Sequence, residues 1–421
     1  MRILVYPHDL EIGGSQLNAV EIAAEMAASG HEVAIFGRPG RLLDRIDELG
    51  LEFIEAPNPR RRPSPAVVRA LSALVTDRGF EILHGYEWPP SLECWLAAVR
   101  HPSVRAVSTV MSMAVAPFIP QQLDLVVGTE QIAASERERG RRRVSVIEPP
   151  VDLRHADDCT TREVDTFHRT HDLDGTAVTV VIVARLVPEL KLEGLLTAID
   201  VVGAQRPGEP RAQLVVVGGG SAEAEVRTAA ETANRRAGRA AVVVTGELKD
   251  PRPAYAAADI VLGMGGSALR AMAHHRPLIV QGEHGFWRTL TPESLLEFRW
   301  TGWYGVGAGR ATGADRLAAE LIPLLRDPAG RARLGDLGRS LVEQHYSLQV
   351  AAQLQEQIYR SALAGSTGTG ARLQDGVLSG VRYVGHKTAR RWKKLRGRHR
   401  TDDFNSRPVA SLGPKRPAVS G

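Results

Sequence analysis

The 421-residue chain reads as an α/β protein of two successive domains, each a parallel sheet with helices on both faces. Two observations predict this. Short apolar runs alternate with longer amphipathic segments, and the alternation pauses once near the middle before restarting. The length also favours two domains over one.

The first set of strand-type runs falls at residues 3–6, 33–36, 82–84, 105–109, 125–127 and 144–147. Most are continuous Val/Ile/Leu stretches, the pattern of strands buried on both faces. A Gly-Gly turn and a helical pattern over 16–28 follow the first run. Around 148–175 the rhythm gives way to Glu148-Pro149-Pro150 and a polar, His- and Asp-rich segment. It resumes at 178–183, 213–217, 241–244, 260–262 and 278–280. A last helical stretch over 331–363 is expected to break near His345-Tyr346-Ser347. The expected domains are therefore 1–155 and 156–363, with a linker and tail over 364–421.

Composition narrows the class. Cys94 and Cys159 cannot form a disulfide framework, and no Cys/His spacing suggests zinc, so a reducing compartment is expected. The opening apolar run is too short for a signal peptide, and no stretch reaches the roughly 18 apolar residues of a membrane span. A cytoplasmic protein is the expectation. The net charge of +5 is misleading: residues 381–421 hold 12 Lys/Arg against two Asp, so the preceding 380 residues sum to −5. The basic charge belongs to the tail and does not mark the body as binding nucleic acid.

The tail begins with a Gly/Ser/Thr linker over 364–370. Beyond it Val381, Val384, Thr388, Trp392 and Leu395 recur at spacings of three and four among Lys and Arg. That pattern over 381–400 suits a cationic amphipathic helix on an anionic membrane surface, at the inner face of a membrane. A solvated, disordered tail fits the composition equally.

Several motifs sit where an α/β sheet presents ligands. Gly13-Gly14 follows the first strand and opens a helix, so backbone amides can approach a phosphate, although a tight turn reads the same way. His84 is expected at a strand end, facing the usual crevice. Arg185 and Lys191 leave the first strand of the second half: an Arg fork and a Lys point charge suit a diphosphate, as they suit solvent. Gly263-Met264-Gly265-Gly266-Ser267 is a second strand-turn-helix that could face phosphate. Gly218-Gly219-Gly220 is not a dinucleotide fingerprint, because Glu223 stands at the third glycine position, and an oxidoreductase reading loses support.

In order, these features resemble the GT-B retaining glycosyltransferases of family four, the group 1 glycosyl transferases, over about residues 1–363. Val183-Ala184-Arg185-Leu186-Val187-Pro188-Glu189 resembles that family's GRL-x-x-E-K stretch, Val216-Val217-Gly218 its IVG, Val244-Thr245-Gly246 its xGxV loop and Pro150-Val151-Asp152 the end of its NGVD segment. Tyr255-Ala256-Ala257-Ala258-Asp259 and Ala271-Met272-Ala273 flank its signature region.

The resemblance implies two Rossmann-like domains facing each other across a cleft, with a nucleotide-sugar donor held mainly by the second. It implies Arg185 and Lys191 at the donor diphosphate, Gly13 and Gly14 near phosphate or acceptor, and His84 near the transferred sugar. Thr245 and Gly246 would border the base, while amides around Gly266 and Ser267 reach a phosphate. It implies a retaining hexosyl transfer to a glycan or lipid-linked acceptor in envelope or polysaccharide synthesis, with no cofactor. The one Asp-x-Asp, Asp172-Leu173-Asp174, precedes a strand instead of following one, so no metal is expected.

Two departures matter. Leu190 separates Glu189 from Lys191, where the family's lysine follows its Glu directly. Arg270 replaces the second carboxylate of the Glu-x7-Glu motif, and the first has no counterpart; Glu247, Glu283 and Glu293 are the substitutes left open. Arginine accepts no hydrogen bond from a ribose hydroxyl but adds charge near a phosphate. The alternative reading is a non-catalytic protein of the same fold that binds a nucleotide, a glycan or a partner.

Overall fold

In the computed structural model, residues 1–421 are described except Glu189, Arg206, Pro207, Glu209, 366–368, 396–403 and 405–421; over 369–373 and 393–395 only the backbone is described. The chain divides into two compact units, Met1–Pro149 with Leu348–Gly421, and Pro150–Ser347. The division corrects the expected one. The return helix Leu348–Ala364 belongs with the first unit, and the crossing falls at Pro149-Pro150 instead of 155/156.

In the first unit, β1 (Arg2–Tyr6), β2 (Glu32–Gly37), β3 (Glu52–Glu55), β4 (Ile82–Tyr86), β5 (Arg105–Val110), β6 (Asp124–Val127) and β7 (Val144–Val146) form one sheet. The order is β3-β2-β1-β4-β5-β6-β7 and every pairing is parallel. The apolar runs thus fill central strands, with helix layers packed on both faces. The return helix lies on one face, where Tyr359, Ala352 and Leu348 share a core with Val5, Ile35 and Ile82. β3 escaped the sequence reading because its Glu-Phe-Ile-Glu is a half-exposed edge strand without a buried run.

The second unit repeats the plan with β8 (Val178–Val183), β9 (Ala212–Val217), β10 (Val242–Gly246), β11 (Ile260–Gly263), β12 (Leu278–Gln281) and β13 (Trp287–Thr289). The order is β10-β9-β8-β11-β12-β13, parallel except for β13, which pairs antiparallel with β12. The expected break is present: Pro328–Leu341 passes through a π turn at Val342–Tyr346 to extended Ser347, and the return helix follows.

The tail departs from its expectation of a flexible linker. Part of that linker, 366–368, and the end of the basic segment, 396–400, lie outside the described residues. Between them Thr369–Leu395 is a single helix packed on the first unit. Asp375 accepts hydrogen bonds from the amides of Gln121 (2.9 Å) and Gln122 (2.7 Å). Ser379 donates to the carbonyl of Phe118, Tyr383 donates to that of Arg62, and the Tyr383 ring packs on Phe118 at 5.2 Å and Trp88 at 6.0 Å. At 3.6 residues per turn, Asp375, Ser379, Tyr383 and His386 occupy about 80° of arc on the docked side. Val377, Val381, Val384 and Trp392 occupy a similar arc about 180° away and stand 60–67% exposed.

Candidate functional site

In a doubly wound sheet, ligands bind at the carboxyl ends of the strands where the order reverses direction. The strand orders place that point between β1 and β4 in the first unit and between β8 and β11 in the second.

Around the second point, the loop leaving β8 is held by backbone bonds: Ala184 N to Val217 O, Leu186 N to Gly219 O, and Ala222 N to Leu186 O, at 2.8–3.0 Å. The glycine cluster after β9 permits this wrap. Gly218 has φ 143°, and a Cβ there would meet the Ala184 carbonyl oxygen at 1.8 Å; at Gly220 (φ 150°) it would meet that of Leu186 at 2.4 Å. These glycines fasten the loop that carries Arg185.

Arg185 is exposed, and Lys191 is half-buried at the start of helix Leu192–Gly203. The family-like Glu189 between them lies outside the described residues. The Lys191 carbonyl accepts from Gln281 Nε2 at 3.1 Å, which fixes the helix start on β12. Burial, reinforced by the charge of Arg185, holds the Lys191 pKa below the ordinary lysine range. Among the described residues no carboxylate lies within ion-pair distance of Arg185 or Lys191. The nearby Glu193 is committed to Arg310 and to the amide of Gly285.

Across the switch point, β11 ends in Met264-Gly265 and helix Gly266–Ala273 begins. Gly265 sits at φ 53°, ψ −128°, and its amide donates to Trp303 O. Ser267 spends its hydroxyl on both Met264 backbone groups and its amide on the Met264 carbonyl, so its hydroxyl closes the turn. Gly266 is left as the first-turn amide of the helix. The Arg270 guanidinium folds back over that turn, since a Cβ on Gly266 would lie 3.3 Å from its Nη1. A cation at a helix N-terminus opposes the macrodipole, and no carboxylate neutralises Arg270 among the described residues. Arg185 and Lys191 follow β8 and Arg270 follows β11, the two strands of the switch point, and among the described residues none of the three has an acidic partner.

Thr245 and Gly246 are two strands away, at the end of edge strand β10, about 10 Å from β8 by strand spacing. The Thr245 hydroxyl donates to Gly246 O, and Gly246 O in turn accepts from Gly218 N. An extended ligand could run from the β8/β11 cations to this edge. Of the open carboxylates, Glu247 borders this edge beside Gly219, whereas Glu283 accepts from the Tyr304 hydroxyl and Glu293 sits in an exposed turn. Asp174 is spent on Thr176.

In the first unit, Gly13 is the N-cap of helix Gly14–Ala28, with no side-chain cap and no acidic residue in its first turn; Gly14 has open space where a Cβ would point. His84 corrects the sequence expectation. It is the middle residue of β4, fully buried, with Nδ1 at 2.6 Å from the Tyr359 hydroxyl and Nε2 at 2.7 Å from Thr109 Oγ1. Burial pushes its pKa down to about 3. Both nitrogens are engaged inside the core, so His84 braces the return helix and has no face toward a sugar.

The residue at that strand end is Glu87, which sequence reasoning missed. It caps helix Trp88–Ala98, whose Pro89-Pro90 start was the available signal. Its backbone, at φ 63° and ψ 172°, lies in a region essentially reserved for glycine, a strain of about 1–3 kcal/mol. Its carboxylate accepts from Ser15 Oγ (3.3 Å), Met111 N (2.9 Å) and Ser112 Oγ (2.7 Å), tying together the loops after β1, β4 and β5.

With this geometry in hand, comparison with known families decides the affiliation. The Glycosyl transferase 4-like domain matches residues 13–144, and Glycosyl transferases group 1 matches 177–295. The chain thus carries a glycosyl transferase 4-like domain followed by a glycosyl transferases group 1 domain. A GDP-mannose-dependent monoacylated alpha-(1-6)-phosphatidylinositol monomannoside mannosyltransferase of Corynebacterium glutamicum is 29% identical over 226 residues, 50% of this chain. The alignment covers 54% of that protein, so the chain spans about half the length of the curated relative it matches. A glycosyltransferase from Rickettsia africae superposes with TM-score 0.68 at 14% identity, covering 87% of this chain and 99% of that one. HepE of Anabaena in complex with UDP gives 0.65 at 14% identity, covering 86% and 100%. These likenesses establish the fold as GT-B, with two Rossmann-like domains.

Proposed function

We propose that this glycosyltransferase-family protein moves a hexose from a nucleoside diphosphate-sugar to a glycan or lipid-linked acceptor, with retention and without a metal. The observation that carries the reading is the group of unpaired cations Arg185, Lys191 and Arg270 at the β8/β11 switch point. In the step, the bond from the anomeric carbon to the diphosphate oxygen breaks, the electron pair stays on phosphate, and the acceptor oxygen bonds to that carbon. The acceptor's proton leaves with the diphosphate. Charge grows on the phosphate, where fixed cations and a helix N-terminus stabilise it most. No protein nucleophile is assigned. Gly266 supplies an amide to the phosphate, Thr245 and Gly246 border the base, and Gly13 and Gly14 present their backbone to the phosphates or the acceptor.

The test is thermal stabilisation by UDP-, GDP-, ADP- and TDP-sugars, because a ligand of the native state raises stability by mass action. One nucleotide should shift the melting temperature of wild type and fail with an Arg185→Ala, Lys191→Ala double variant. No shift with any of the four would favour the non-catalytic reading, which rests on Arg270 in place of a carboxylate.

The same proposal places the protein on the cytoplasmic side of a membrane, held at its surface by the tail helix. No helix among the described residues is long and apolar enough to cross a membrane. The helix turns its polar residues Asp375 and Ser379 to the protein and its apolar stripe outward, the reverse of a helix built for a solvated surface. Exposed Arg382, Lys387 and Arg391 flank that stripe. This supports an in-plane anchor on anionic lipid, and hence a lipid-linked acceptor.

A further inference from the structure

We propose that Glu87 contacts the acceptor saccharide, its carboxylate accepting hydrogen bonds from sugar hydroxyls in the β1/β4 crevice; this rests on the glycosyl-transfer reading. Three observations converge on it. The residue stands at the carboxyl end of β4, at the point where the strand order of the first unit reverses. Its backbone adopts a glycine conformation, yet the residue is not glycine. Its carboxylate is oriented entirely by neutral donors: Ser15 Oγ and Met111 N on Oε1, and Ser112 Oγ on Oε2.

The chemistry follows from the count of acceptor sites. An ionised carboxylate offers about four, and three are filled, leaving one on Oε2. Among the described residues no cation pairs with Glu87, so its charge remains available to polarise a hydroxyl. A carboxylate held half-buried by hydroxyls and an amide suits a polyhydroxylated neutral ligand, since a charge-assisted hydrogen bond to a sugar hydroxyl is stronger than a neutral one. The position is also anchored from behind. The Glu87 amide donates to Thr109 O at 2.7 Å, and its carbonyl accepts from Ser91 Oγ at 2.6 Å and Ser91 N at 3.1 Å. Glycine at 87 would relieve this backbone conformation, yet the position carries a carboxylate with one acceptor site left open. The strain is the mark of a side chain kept for what it touches.

The test compares Glu87→Gly and Glu87→Gln with wild type. Calorimetry gives the melting temperature, the nucleotide-sugar panel gives the donor shift, and nucleotide release is measured with methyl α-mannoside and methyl α-glucoside as acceptors. The proposal expects Glu87→Gly to melt within about 4 °C of wild type, because relief of the strain offsets the lost hydrogen bonds from Ser15, Met111 and Ser112. Its donor shift should be unchanged, while acceptor-dependent release falls at least about tenfold through a raised KM. Glu87→Gln should lose release to a similar degree. If Glu87→Gly melts more than about 4 °C lower, Glu87 is a brace and the proposal fails. Wild-type release by either variant also overturns it. Absence of any donor shift in wild type would instead count against the transfer reading, and the melting order of the variants would still decide whether Glu87 is a brace.

Discussion

The Nδ1 of His84 lies 2.6 Å from the hydroxyl of Tyr359, joining the middle of β4 to a helix 275 residues later in the chain. The second nitrogen is satisfied by Thr109, and burial in the core disfavours the charged ring. Its folded pKa is pushed down to about 3, below the roughly 6.5 of an unfolded chain. As pH falls below about 6.5 the unfolded chain takes a proton that the native ring refuses until near 3. The contribution is thus intact above 6.5 and lost between there and 3. A His84→Gln variant should be less stable than wild type at pH 7, and the gap should narrow by on the order of 2 kcal/mol at pH 5. Denaturant melts at the two values measure it; parallel pH profiles would show that His84 does not titrate as described.

Gly218 and Gly14 make opposite predictions although both stand in glycine runs after a strand. A Cβ at Gly218 would lie 1.8 Å from the Ala184 carbonyl, so Gly218→Ala must displace the loop that carries Arg185. A loss of at least about 3 kcal/mol is expected, read as a melting drop of about 6 °C or more. Gly14→Ala meets nothing within 4 Å and should melt within about 2 °C of wild type. Equal melting of the two variants would contradict the packing of the glycine cluster.

The sheet strands were legible because burial on both faces writes them as continuous Val and Ile runs, as in Val178–Val183. Strands β3 and β13 were not: β3 is half-exposed, and β13 is three residues long with Arg288 at its centre, so neither carries such a run. Arg185, Lys191 and the Gly265-Gly266 turn could be read from order along the chain. Their shared switch point depends on the pairing of β8 with β11, which is non-local. His84 and Glu87 show the limit most sharply. Two residues of strand length separate a core position from a crevice position, and only the extent of β4 through Tyr86 tells them apart. The tail was legible as amphipathic, but its docked face was not. That face is made by Asp375, Ser379 and Tyr383, whose partners lie some 250–320 positions earlier in the sequence.

Val381 and Val384 stand exposed, well away from the docked face, so altering them should spare the fold. Val381→Asp with Val384→Asp should leave the melting temperature within about 2 °C of wild type. Flotation with vesicles of phosphatidylcholine and phosphatidylserine should fall severalfold. Arg391→Glu should weaken flotation by reversing a charge worth about 1 kcal/mol near an anionic surface, most visibly at low salt. If wild type stays in the soluble fraction with such vesicles, the tail does not anchor the protein.

Lys191 separates a donor site from a pair of solvated cations. Its pKa lies below the ordinary lysine range because burial and Arg185 both disfavour the proton. A diphosphate binds the charged form, so nucleotide affinity should decline with rising pH earlier than an ordinary lysine would allow. Lys191→Ala should weaken binding of the stabilising nucleotide by about 10–100-fold, the worth of one charge-assisted contact. Lys191→Arg should retain part of the affinity and abolish the alkaline decline, because guanidinium stays charged. Calorimetric titration between pH 7 and 10 distinguishes these outcomes. If both variants track wild type across that range, the diphosphate does not rest on Lys191, and the assignment passes to Arg185 and Arg270.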